Sequence, residues 1–487
     1  MKPVLLVVMD GVGLRKQTEG NAFKQADTPN IGKLMARNGF AQLDASGPAV
    51  GLPEGYTGNS EVGHLHLGAG RKIPQRLTRI NEAIEENKLQ EKQALKEALQ
   101  RAERNNSTVH LAGIISDGGI HGHIDHLKAL LKISSDYDVE VKIHCFTDGR
   151  DVDPKSAEKF LGQIEEWTEE YGGEIATVMG RYYSMDRDHN WERTQKAYRA
   201  MAEAEGFEFS DPGQAVQKTY DDGDYDYFIQ PSVSDNYEGL EDEDQMVFYN
   251  FRADRERQIV EALLKDDFEP FQNKVRPEFI SMFRYRNDFE NPALFEKQIV
   301  ENTLGEKIEN AGLSQLRVAE SQKRPHVTFF FNGQRELKFE NEERHFVESD
   351  KIKAYDQKPE MHADDITEVV LEALEDGEKD FIMLNYANCD LVGHTGDMEA
   401  TVKAVETVDR NIGRLKNKID ETDYSMLITA DHGNCEDMGN EKSPNTSHTI
   451  NPVPLIQLNT DEDFEFEENE IWEIEGLISE ILGLEEY

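Results

Sequence analysis

Seven short apolar runs, scattered from one end of the chain to the other, each stop abruptly at a polar loop rich in reactive side chains. "VLLVVM" runs into "DGVG", "TVHLAGII" into "SDGGIHGH", "VKIHCF" into "TDGRD" and "EIATVM" into "GRYYSMDRD". "DQMVFY" runs into "NFRADR", "FIMLNY" into "ANCDLVGH" and "SMLIT" into "ADHGN". Runs of this kind, alternating with long charged stretches of helical pattern, predict an α/β protein with mainly parallel sheets. In such sheets ligands collect beyond the carboxyl ends of the strands, where loops present polar side chains over a rigid scaffold.

The loops are of two kinds. Asp and His mark both ends of the chain, at Asp10 and then at Asp390, His394, Asp431, His432 and His448. Arg marks the middle, at Arg150, Arg181, Arg187, Arg252 and Arg255. A chain of 487 residues exceeds one ordinary core. Two α/β domains are therefore expected: a metal domain built from both chain ends, and an anion-binding domain inserted into it.

Asp plus Glu number 97 against 53 Lys plus Arg, a formal charge of -44, which excludes nucleic acid and anionic membrane as partners. The excess is dispersed, from "EGLEDED" to "EDGEKD" to a C-terminus without Lys or Arg after Lys442. Such a surface repels itself in dilute buffer, and about 1 M salt shortens the Debye length to about 3 Å and removes that penalty. A salt-accumulating, halophilic cytoplasm is the expected setting. Cys145, Cys389 and Cys435 are too few and too far apart for a disulfide framework or a CxxC metal site, which suits a reducing compartment. "VLLVVM" stops at Asp10 and resembles no signal peptide, and no segment approaches membrane-spanning length. A cytoplasmic monomer acting on a small molecule is expected.

Asp and His without Cys point to manganese, magnesium or zinc. Asp390 and His394, four apart in "DLVGH", fall on one side of a helical turn and could share an ion. Asp431 and His432 are adjacent at a strand end, where alternation sends successive side chains in different directions, which favours two ions. Each residue alone reads more simply as a turn or capping residue; the set is what argues for metal.

Ser60 sits between Gly58 and Gly63 in "TGNSEVGH". A serine so placed is, by itself, more simply a turn or N-cap residue. Next to two metals it becomes a nucleophile, because a coordinated hydroxyl ionises easily and paired ions stabilise an in-line phosphoryl displacement. The arginines suit an anion with more than one acidic group, since guanidinium forks pair bidentately with carboxylate and phosphate. Asp151, beside Arg150, is placed for proton transfer, and a solvated salt bridge accounts for it equally well.

In order along nearly the whole chain, "MDGVGL", "TGNSEVGHLHLGAGR", "SDGGIHGHIDHL", "TDGRD", "GRYYSMDRD", "NFRADR", "HVTFFFNG", "NYANCDLVGHTG" and "TADHGNCE" with "SHTINPVP" resemble the motifs of cofactor-independent phosphoglycerate mutases, a family of the alkaline phosphatase superfamily. The resemblance implies an alkaline-phosphatase-like metal domain at 1–75 and 299–487, with a phosphotransferase domain at 76–298 inserted between hinges near 74–78 and 296–300. It implies two manganese ions, one held by Asp390, His394 and His448 and the other by Asp10, Ser60, Asp431 and His432; magnesium is the alternative. It makes Ser60 the phosphoryl acceptor. Substrate binding falls to His121, Arg150, Asp151, Arg181, Arg187, Arg252 and Arg255, and Lys323 in "ESQKRPHV" reaches the transferring phosphate. His121 and Lys323 come from the resemblance alone. Two positions depart from the family, Val12 where tryptophan is common and Thr57 where methionine is usual, and neither is a ligand position.

The implied reaction interconverts 3-phosphoglycerate and 2-phosphoglycerate through a phosphoserine, with no bisphosphoglycerate primer. A metal-dependent phosphatase or another phosphomutase would explain the Asp and His set equally well but leaves the five middle arginines without a role. An acidic metal-storage protein would need neither a nucleophile nor an arginine pocket.

Overall fold

"VLLVVM" forms the strand Val4–Met9 with all six residues buried. Only a strand covered on both faces carries so continuous an apolar run. The other six runs are strands as well: Val109–Ile114, Val141–Thr147, Glu174–Gly180, Gln245–Phe248, Phe381–Tyr386 and Ser425–Thr429. The protein is seen here as a computed structural model that describes residues 2–36, 39–440, 442–460 and 466–484. The chain divides into two units, Met1–Gln75 with Gln298–Tyr487, and Arg76–Lys297.

The first unit is built on a seven-stranded sheet in the order Glu342–Val347, Gln315–Glu320, Phe381–Tyr386, Val4–Met9, Ser425–Thr429, Val453–Leu458, Phe40–Leu43. The first five are mutually parallel and the last two pair antiparallel. The N-terminal strand lies between two late ones, with Met9 opposite Tyr386 and Val8 opposite Thr429. Three loops that are remote in sequence therefore leave one sheet edge side by side. The core packs Val4–Met9, Phe381, Leu384, Leu427 and Ile456 against Val370, Val408 and Ile412 of the covering helices Ala363–Asp376 and Met398–Ile419.

The second unit carries an eight-stranded sheet in the order Ala293–Phe295, Glu278–Phe283, Gln245–Phe248, Val109–Ile114, Val141–Thr147, Glu174–Gly180, Ser232–Ser234, Phe207–Phe209. Only the pairing of Glu174–Gly180 with Ser232–Ser234 is antiparallel. Its core packs Ala112, Phe146, Met179 and Phe248 against Tyr198, Met201 and Leu263. Among the described residues no helix is long and apolar enough to cross a membrane.

Candidate functional site

In the first unit every sequence-selected metal residue lies at or near one end of the sheet. Asp10 directly follows Val4–Met9, and Asp390 lies in the helix Asn388–Gly393 that follows Phe381–Tyr386. Asp431 and His432 follow Ser425–Thr429, and His448 precedes Val453–Leu458. Ser60 opens the helix Ser60–Ala69, whose N-cap Asn59 accepts from Val62 N. Gly63 and Gly58 answer a packing need. A Cβ on Gly63 would sit 2.4 Å from the Asp431 carbonyl oxygen, and one on Gly58 would sit 2.1 Å from that of Ala45.

Two clusters share Asp390. On one side, Nε2 of His394 and of His448 lie 3.1 and 3.3 Å from its Oδ1 and 3.0 Å from each other. On the other, Nε2 of His432 lies 3.5 Å from both Asp10 Oδ1 and Asp431 Oδ2, and 3.8 Å from Asp390 Oδ1. Asp431 and His432, just past the strand end at Thr429, enter different donor groups, Asp431 with Asp10 and His64 and His432 with Asp10 and Asp390. Ser60 Oγ donates to Asp10 Oδ1 at 3.1 Å and lies 3.0 Å from His432 Nε2.

The donor set fits divalent cations. His394, His448 and His432 each turn Nδ1 to a backbone carbonyl, of Thr446 at 2.7 Å, Gly58 at 3.0 Å and Gly433 at 3.2 Å. That bond fixes the tautomer and leaves the Nε2 lone pair available to a metal, the arrangement typical of metal-binding histidines. Asp431 Oδ2 is buried without a hydrogen bond. Three buried carboxylates so close demand cations.

Protein groups bring positive charge to these carboxylates as well. Lys323 Nζ, at the end of the turn after Gln315–Glu320, lies 2.7 Å from Asp10 Oδ1, from Asp390 Oδ2 and from Ser60 Oγ. Burial alone would raise Asp10 and Asp390, but the Lys323 ammonium outweighs it and holds both well below the ordinary carboxylate range. Burial opposes charge on His432 too, yet Asp431, Asp10 and Asp390 push it up to about 10.

Residues that sequence reasoning passed over hold this set in place. Asn385 Nδ2 donates to Asp10 Oδ2 at 2.8 Å and to His64 Nε2 at 3.0 Å. Its signal was a polar side chain inside an apolar run, "FIMLNY". His64 Nδ1 donates to the Ser60 carbonyl at 2.8 Å and faces Asp431 Oδ2 at 3.2 Å. Glu436, fully buried, accepts from Gly13 N at 3.0 Å, Asn434 N at 2.9 Å, Asn451 Nδ2 at 2.9 Å and the Thr449 hydroxyl. It ties three site loops together, and nothing in "GNCE" marks it out.

The second unit gathers the arginines at its own strand ends. Arg181, 2 % exposed, donates from Nη1 to Asp148 Oδ1 and Asp151 Oδ2, both at 2.6 Å. Asp151 thus pairs with Arg181, and it faces His121 Nε2 at 3.9 Å. Arg187 donates to Asp254 Oδ2 at 2.9 Å, and Arg252 Nε lies 3.0 Å from Asp254 Oδ1. Burial, then the nearby charges of Arg181, Arg187 and Arg150, push Arg255 down, the mark of cations crowded in one place. Such a cluster suits an anion bearing several acidic groups.

Known proteins resemble the chain along its whole length. A model of the metalloenzyme superfamily matches residues 2–486. The 2,3-bisphosphoglycerate-independent phosphoglycerate mutase of Clostridium botulinum (strain Langeland) is 45% identical over 94% of this chain and 92% of its own. That of Moorella thermoacetica is 46% identical over 93% and 90%. A crystal structure of Leishmania mexicana phosphoglycerate mutase at low cobalt concentration superposes with a TM-score of 0.74 at 30% identity, covering 100% of this chain and 96% of that one.

Proposed function

The chain belongs to the 2,3-bisphosphoglycerate-independent phosphoglycerate mutases of the metalloenzyme superfamily, and from that premise we propose how its own residues carry the reaction. The activity is that of an isomerase, the interconversion of 3-phosphoglycerate and 2-phosphoglycerate without a bisphosphoglycerate primer, and it uses divalent metal.

Ser60 is the phosphoryl acceptor in this reading. The supporting observation is the meeting of Ser60 Oγ, Asp10 Oδ1 and Lys323 Nζ within 3.1 Å of one another, beside three groups of carboxylate and imidazole donors close enough together to hold metal. Asp390, His394 and His448 would hold one ion, and Asp10, Ser60, Asp431 and His432 the other. When bound, two such cations lower the pKa of a ligated hydroxyl and balance charge on a phosphoryl group in flight. The ion is manganese in our reading, with magnesium the alternative.

The remaining roles belong to side chains. Asp10 Oδ1 orients the Ser60 hydroxyl by accepting its hydrogen bond, the Ser60 proton is lost to solvent as the nucleophile forms, and Lys323 sets a positive charge against the transferring phosphoryl oxygens. Ser60 attacks phosphorus, the bond to the glycerate oxygen breaks, and phosphoserine forms. Asp151 protonates the departing oxygen. Arg150, Arg181, Arg187, Arg252, Arg255 and His121 hold the glycerate while it turns over. Asp151 then deprotonates the other hydroxyl, which takes the phosphoryl group back. Water must be excluded while phosphoserine persists, since its attack would make a phosphatase of a mutase. The setting that fits a glycolytic enzyme with three free buried cysteines and a charge of -44 is a reducing, salt-rich cytoplasm.

The test is an enolase-coupled assay on 3-phosphoglycerate without bisphosphoglycerate, with and without chelator, comparing wild type with Ser60→Ala. Activity is expected only in metal-loaded wild type. An active Ser60→Ala enzyme overturns the mechanism. Release of inorganic phosphate without 2-phosphoglycerate would point to the phosphatase alternative.

A further inference from the structure

Glu256 stands just before the helix Arg257–Leu264, fully buried, and neither of its carboxyl oxygens has a hydrogen-bond partner within 3.5 Å, although the Asn250 side chain lies close enough to favour its charged form. A carboxyl in that condition costs several kcal/mol unless it is neutral or engaged in function. Two neighbours share part of its condition, Asp254, whose Oδ1 also lacks a hydrogen bond, and His121. His121 is 4 % exposed and its Nδ1 is also unpartnered, 3.8 Å from Glu256 Oε1. The other face of that imidazole, Nε2, looks toward Asp151.

Burial, then the positive charge of Arg181, hold His121 down at about 3, so the ring is neutral and carries one N–H. An anionic substrate among arginines is best served by a donor at Nε2, and Nδ1 must then accept. Two carboxyls face Nδ1, each at 3.8 Å, those of Asp254 and Glu256. Burial would raise Asp254, but Arg252 and Arg187 outweigh it and keep it anionic, with nothing to donate. Burial pushes Glu256 up to about 8, with Asp254 adding to the push and Asn250, Arg181 and Arg255 opposing it. The phenol of Tyr285, the remaining titratable group beside it, is buried and donates to the Asn250 carbonyl. Asp254 is ion-paired to Arg187 and Arg252, whereas among the described residues Glu256 has no Lys or Arg within 4 Å, which leaves Glu256 the carboxyl there with a proton to give.

We propose that Glu256 is a positioning residue: its carboxyl, 3.8 Å from Nδ1 of His121 in this structure, closes that gap when substrate binds, donates to Nδ1 and fixes the tautomer that aims Nε2–H at the anionic substrate. This rests on the substrate-site reading given above. Raising the pH through about 8 ionises Glu256 and removes the donor. The proton of His121 then moves to Nδ1, and affinity for substrate falls while turnover of bound substrate changes less.

Two measurements test it. Nitrogen-15 spectra of histidine-labelled wild type, with His121 assigned from a His121→Asn variant, are expected to show the Nε2–H tautomer at pH 7 and its loss with a midpoint near 8. A Nδ1–H tautomer at pH 7 overturns the proposal, and this readout stands whether or not the mutase reading survives. In the coupled assay, Glu256→Gln keeps a permanent donor, so KM should stay low and its alkaline rise disappear. Glu256→Leu should raise KM about tenfold at all pH values, in line with the loss of one charge-assisted hydrogen bond, with kcat less affected. Matching pH profiles for Gln and Leu would also overturn it. A wild type inactive in this assay, with the tautomer as expected, would count against the mutase reading alone.

Discussion

The ammonium of Lys323 lies 2.7 Å from the hydroxyl of Ser60, and from the same point it reaches Asp10 and Asp390 at 2.7 Å each. One side chain thus touches the serine proposed as nucleophile and sets a positive charge between two buried carboxylates.

Replacing Lys323 with Met should therefore act twice. Without metal, two buried carboxylates lose their partner, and stability should fall by about 3–5 kcal/mol. Added manganese should restore most of it, because a divalent ion answers the same carboxylates. Chemical denaturation in chelator and in manganese separates the two states, while kcat should fall about a hundredfold or more even when metal is bound.

Two glycine-to-alanine changes should have opposite signs. At Gly63 a Cβ would lie 2.4 Å from the Asp431 carbonyl oxygen and 2.7 Å from its Cβ, so Gly63→Ala should displace Asp431 and lower metal content and activity together. Gly162, inside the helix Ala157–Tyr171, has nothing within 4 Å of that position. Gly162→Ala should add about 0.5–1 kcal/mol, the helix preference of alanine over glycine. Calorimetry with metal analysis reads both.

Acid should weaken the fold before the carboxylates titrate. Burial holds His126 at about 3 and His66 at about 4, both below the ordinary histidine value of about 6.5. Between those limits the unfolded chain binds protons that the folded one refuses, so stability rises with pH and is lost as pH falls below about 6.5. Each group contributes a slope of up to about 1.4 kcal/mol per pH unit. Urea midpoints from pH 7 to 5 should trace it, and His126→Gln should be flatter by about one proton.

Potassium chloride should stabilise this protein strongly. A net charge of -44 repels itself across the surface, and screening at about 1 M removes most of that repulsion. Full stability in dilute buffer would contradict the halophilic reading of the composition.

Much of the site was legible because strand ends announce themselves. An apolar run that stops at Asp, His or Arg fixes both the element and where its reactive side chain emerges, and Asp10, Asp390, Asp431 and Arg181 all follow that rule. Lys323 was invisible to it, since "ESQKRPHV" resembles any charged turn, and only the family motif singled it out. Glu256 and Glu436 were missed for a related reason: a glutamate in an acidic chain reads as surface until its burial is known.

The sequence alone determined the α/β class, the separation of Asp and His loops from Arg loops, and the family, since these follow from local runs and ordered motifs. The tertiary structure decided which groups meet. Placing Val4–Met9 between Phe381–Tyr386 and Ser425–Thr429 brings Asp10 beside partners almost four hundred residues away, as the 375-residue separation of Asp10 and Asn385 records. It also decided which carboxyls are charged, because charge in a protein interior depends on burial and neighbours that no local stretch of sequence contains.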